Sequence, residues 1–146
     1  MQELIEILDE KLEYITHEIA SETITIKVKS KTKNAKCPYC GKESNKIYSK
    51  NERSLNDLPI YGKKTILKLQ RRKFFCLNEN CSQKTFSERF NFFDGRATRT
   101  KRLESKVLQV SASQSSLSAA KYLKANVVGI SKSTICNLLK KTNENN

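Results

Sequence analysis

The chain has 146 residues, enough for one ordinary domain or for two to three very small ones. Its apolar fraction is 37%, below the roughly 45–50% of globular chains, a benchmark that also counts glycine, which argues against a single large core and for small modules. The net charge is +13, with −6 on residues 1–26 and +19 on the remainder, a field that favours polyanions; no apolar run approaches the ~20 residues of a membrane span, and there is no signal peptide or lipidation motif.

Residues 2–8 read as a short helix. From Leu12 to Lys29 the period changes to two. Tyr14, Thr16 and Glu18 alternate with Ile15, His17 and Ile19. Ile24, Ile26 and Val28 alternate with Thr23, Thr25, Lys27 and Lys29. Alternation on both sides of Ala20-Ser21-Glu22 predicts a β-hairpin. A single helix over residues 2–19 competes, because Leu4, Leu8, Leu12, Ile15 and Ile19 also sit at helical spacing; the hairpin is the preferred reading. The lone histidine, His17, falls on this strand as a surface residue without a role.

A polar, basic connector, residues 30–36, leads to the cysteine region. Cys37-Pro38-Tyr39-Cys40-Gly41 forms one pair and Cys76 and Cys81 another. A chain with no export signal disfavours disulfides, so paired cysteines read first as metal ligands. Zinc takes four thiolates in a tetrahedron, and one tight turn offers two of them. Pro38 stiffens the first turn and Gly41 permits a backbone conformation that other residues resist. The β-rich run from Lys64 to Phe75, punctuated at its start by Pro59 and Gly62, would deliver Cys76 to the ion. Cys37, Cys40, Cys76 and Cys81 are therefore expected to hold one structural zinc. With four protein ligands the ion has no open position for catalysis. Four reduced thiols without metal are the plain alternative. Cys136 is left over as a semi-buried thiol.

Arg71, Arg72 and Lys73 lie on this strand, with Arg72 on one face and Arg71 and Lys73 on the other. Arg96, Arg99, Lys101 and Arg102 form a basic connector able to track phosphates. From about 102 onward the pattern is helical: Leu103, Val107 and Val110, then Leu117, Ala120 and Leu123, then Ile135, Leu138 and Leu139. Gly129-Ile130-Ser131 reads as the turn of a helix-turn-helix, with a recognition helix over 131–141. That helix would turn Ser133, Asn137 and Lys140 outward, with Lys132 on its flank, toward a major groove.

These readings give an α+β chain. Residues 1–36 form an N-terminal helix and β-hairpin, 37–95 a zinc-ribbon-like β domain, and 96–146 a basic linker and an all-α helix-turn-helix. The candidate DNA contacts are Arg71, Arg72, Lys73, Arg96, Arg99, Lys101, Arg102, Lys132, Ser133, Asn137 and Lys140.

Taken together, Cys37-Pro38-Tyr39-Cys40-Gly41, Leu55-Asn56-Asp57-Leu58-Pro59, Arg71-Arg72-Lys73-Phe74-Phe75-Cys76, Cys81 and Lys84-Thr85-Phe86-Ser87-Glu88-Arg89 resemble the N-terminal zinc-binding domain of the ISL-three family of bacterial insertion-sequence transposases. Residues 96–141 resemble the segment that follows it in that family. The resemblance implies binding to double-stranded DNA at the terminal inverted repeats of a mobile element, in the cytoplasm at the bacterial nucleoid. Self-association and a full-length transposase stand as further partners. Family members continue into a catalytic domain with an Asp-Asp-Glu triad. The acids from residue 27 onward are scattered among bases and suggest no two-metal site, so no nuclease activity is expected of this chain. A free-standing regulator built of the same modules, a zinc-ribbon factor docking on RNA or a protein machine, and a binding chain completed by a catalytic partner are the alternatives.

Overall fold

A computed structural model describes residues 1–113. The chain runs α1 (Gln2–Leu8), β1 (Leu12–Ile19), β2 (Thr23–Ser30), β3 (Ala35–Lys36), β4 (Glu43–Ser44), β5 (Ile47–Ile60), β6 (Lys63–Phe75), β7 (Thr85–Ser87) and α2 (Lys101–Ser113). A five-stranded sheet is ordered β1-β2-β6-β5, with β7 beside the end of β6; β3 and β4 make a separate two-stranded ribbon.

The hairpin read from residues 12–29 is present as β1 and β2, with a bulge between Tyr14 and Thr16. The competing long helix is absent: α1 stops at Leu8, and Gln2 reaches across to β1, accepting from the Tyr14 amide (2.6 Å) and donating to the Leu12 carbonyl (2.9 Å). The acidic N-terminal segment meets basic neighbours, with Glu6 paired to Lys31 and Glu13 to Lys29.

The long hairpin β5–β6 turns at Tyr61 (φ 49°) and Gly62 (φ 74°). Two consecutive positive φ angles define the two-residue turn whose twist matches paired strands. Pro59 falls within a break in register between Asp57 and Ile60, where its missing N–H costs no ladder bond. Strand β2 then pairs parallel to β6, placing Ile24, Ile26 and Val28 beside Thr65, Leu67 and Leu69. Their shared face buries Leu55 and receives Ile5, Leu12, Phe92 and Phe93.

Two expectations are corrected here. The all-α helix-turn-helix, and with it the α+β class, gives way to a mainly β fold: among the described residues there are two helices, α1 and α2, and no helix-turn-helix domain. Residues 114–146, with Lys132, Ser133, Cys136, Asn137 and Lys140, lie outside the described residues. Strand content was underread at β5. Its first six residues are exposed, so no apolar alternation announces them, and the backbone ladder to β6 organises them instead. Strands β2 and β6, distant in sequence, are neighbours in one sheet. Alternation reveals strands but not which strands pair, and the β2–β6 ladder joins the β1–β2 hairpin to the β5–β6 hairpin through one core.

Thr100 caps α2, its hydroxyl oxygen accepting from the Leu103 amide (3.3 Å). It also donates to buried Asp57 on β5 (2.8 Å), and Arg102 Nε donates to the same carboxylate (2.7 Å). Residues 98–100 bond to Asn56 on the β5 edge. The start of α2 is thus fastened to the sheet.

Candidate metal centre

The first cysteine pair sits in the turn between β3 and β4. The Gly41 amide closes it on the Cys37 carbonyl (2.8 Å), with Gly41 at φ 80°, and the Cys37 amide donates to the Lys42 carbonyl (3.0 Å). The second pair lies between β6 and β7. The Cys76 amide donates to the Lys84 carbonyl (2.8 Å), the Cys81 amide to the Asn78 carbonyl (3.1 Å), and the Gln83 amide to Cys81 Sγ (3.5 Å). Phe75 closes against Lys46 and Ser44, tying the two turns together. Beneath them Phe74 stacks on Phe86 and packs with buried Cys37.

The four Sγ atoms lie within 4.8 Å of one another. Cys37 and Cys81 are 3.9 Å apart, Cys40 and Cys76 3.6 Å. Thiolates placed tetrahedrally at ~2.3 Å from zinc stand ~3.8 Å apart. The donor set and its spacing fit one structural zinc, and four protein ligands close the site. The Lys42 amide is the largest influence holding Cys40 low, at about 6. The Asn78 amide pulls the Cys76 thiol down, but desolvation and thiols Cys40, Cys37 and Cys81 push it up to about 12. Cys81 is also raised, by desolvation and by Cys40 and Cys37, against the Gln83 amide. Thiols crowded without a cation cannot all ionise; a divalent ion reverses that repulsion.

The basic residues singled out by sequence separate into two groups. Arg72 is internal: its guanidinium grips Glu88 (2.8 and 2.7 Å), lies over the Phe74 ring, and is 13% exposed. Arg102 is bound to Asp57. These two hold the fold together. Lys73 lies over Tyr48, and Arg99 bridges to Asn56. Arg71, Arg96 and Lys101 instead line one cleft beside the metal turns, with Arg53 and Arg89, which sequence reasoning missed. No basic run marks either of them in the sequence, and the β5–β6 register and the chain leaving β7 bring them to the cleft.

Residues 33–85 match the family model described as the zinc-finger of transposase IS204/IS1001/IS1096/IS1165. All four cysteines fall inside the match. No curated protein and no solved structure matches the chain.

Proposed function

We propose that this chain is the DNA-binding region of a transposase, that it binds the terminal inverted repeats of a mobile element, and that it does so without cutting the strands. The observation that carries the reading is the transposase zinc-finger match over residues 33–85, which encloses four thiols whose Sγ atoms lie within 4.8 Å of one another. Zinc would be bound by Cys37, Cys40, Cys76 and Cys81 and would supply rigidity, clamping the β3–β4 turn to the β6–β7 turn. The charge of +13 supports a polyanionic partner. No described helix is long and apolar enough to cross a membrane.

Selection of bound fragments from a random duplex pool, with and without chelator, tests the reading. The zinc-loaded protein is expected to enrich a sequence found at the ends of a mobile element and to prefer it to RNA of equal length. Enrichment of RNA, or no enrichment, would overturn it. The expectation of binding without cutting is checked by incubating the protein with its selected DNA and magnesium or manganese. Intact strands are expected, and protein-dependent nicks would contradict it.

A further inference from the structure

Along the inner face of the β5–β6 hairpin, apolar residues give way to arginine toward the metal end. Leu55 faces Leu67, then Arg53 faces Leu69, then Asn51 faces Arg71. At that point the sheet forms the wall of a cleft of ≈ 750 Å³. Pro38 and Tyr39 of the first metal turn line one part, and Arg89 and Arg96 beyond β7 line another.

The arginines are held in place. Arg53 donates to the Gly95 (2.8 Å) and Ala97 (2.7 Å) carbonyls and lies over Phe93. Arg71 Nε donates to the Glu88 carbonyl (3.1 Å), which fixes one edge of its guanidinium. Arg89 lies over the Tyr39 ring, 5.7 Å from its centroid. Two carboxylates border the cleft, and both are engaged: Glu88 grips Arg72, and Asp94 pairs with Lys101. Among the described residues, Arg53, Arg71, Arg89 and Arg96 form no ion pair. Burial, with repulsion from Arg53 and Arg89, holds the Arg71 guanidinium below its ordinary range even against Glu88. The lining thus holds five cations, with Lys101, against two carboxylates, and an excess of positive charge gathered in a recess attracts an anion. Planar guanidinium forks match phosphate oxygens.

We propose that this cleft seats the phosphodiester backbone of one DNA strand, with Arg71 and Arg89 contacting phosphates and the first metal turn forming its wall. The assignment rests on the DNA-binding reading. It gives the zinc a positional role, since the turn carrying Cys37 and Cys40 also carries Pro38 and Tyr39 to the cleft.

The test measures duplex DNA affinity against salt for the zinc-loaded wild type, Arg89→Gln, Arg71→Gln, Arg71→Lys and Lys64→Gln. Arg89 and Lys64 are exposed, so their truncation leaves the fold intact, and Lys64 lies at the far end of β6. Zinc content and circular dichroism are recorded for each protein. Arg89→Gln and Arg71→Gln are expected to weaken binding about tenfold and to lower the salt slope by about one each. Arg71→Lys should recover the slope but not the full affinity, because the charge returns without the fork. Lys64→Gln should change little. If the wild type binds DNA with a steep slope and Arg89→Gln matches it, the cleft assignment fails and the DNA reading stands. If the wild type does not bind duplex DNA, both fail.

Discussion

Cys81 accepts a hydrogen bond from the Gln83 amide, and Cys37 is pinned through the Lys42 carbonyl, so each half of the metal centre is set by its own backbone turn. Substituting Cys76→Ser removes one of the four ligands. Zinc is expected to fall well below one per chain at nanomolar free metal, read by elemental analysis of the reduced protein. Protons should also leave when zinc enters. Cys76, pushed up to about 12, and the raised Cys81 are protonated at neutral pH before metal arrives. The thiolate is the ligand, so zinc affinity rises with pH and weakens as pH falls. Calorimetry at pH 7 in buffers of different ionisation enthalpy should report at least two protons released per zinc, and none released would refute the thiol assignment. The four ligands were legible from sequence because their spacing is set by local turns. The roles of individual arginines were not. Arg71 and Arg72 are adjacent, yet one faces a cleft and the other grips the carboxylate of Glu88, a partner sixteen residues away.

At the scale of elements, buried pairs fasten neighbouring pieces. The Arg72–Glu88 pair locks β6 to the segment leaving β7, with side-chain exposures of 13% and 5%. Glu88→Ala strands a buried guanidinium and the Arg72 amide, and is expected to cost about 3–5 kcal/mol, measured as a lowered denaturation midpoint of the zinc-loaded protein. The β5–β6 turn offers a gentler test. A Cβ at Gly62 would meet nothing within 4 Å, so Gly62→Ala carries only the strain of its φ of 74°, about 1 kcal/mol. A loss above 3 kcal/mol would mean the turn makes contacts beyond its backbone. The hairpin β1–β2, α1 and β6 could be read from periodicity and turn residues. Strand β5 could not, because the first six residues of its outer half are exposed on both faces and are organised by pairing. The parallel β2–β6 ladder was likewise hidden, since nothing local to residues 23–30 encodes a partner forty residues away.

At the scale of the molecule, two core clusters among the described residues bear on the metal centre. One lies under the sheet with Leu55, Leu67 and Leu69; the other is the small Phe74–Phe86–Cys37 cluster under the metal turns. The second is too small to hold the β3–β4 ribbon unaided. Structural zinc contributes on the order of 10–16 kcal/mol in small domains, which offsets that shortfall. Chelation is therefore expected to open amide exchange at Lys36–Ser44 and Phe75–Glu88 while Ile26, Val28 and Leu69 stay protected. Uniform loss would mean one cooperative unit, and no loss would mean that the metal carries no structure. The same division links metal to partner binding, because the zinc-held turn borders the arginine cleft. The most direct measurement is duplex DNA affinity at fixed salt as zinc is withdrawn from, and returned to, protein with reduced cysteines. The account predicts one zinc per chain, loss of binding as it leaves, and recovery when it returns. Full-strength binding by the zinc-free, reduced protein would contradict it.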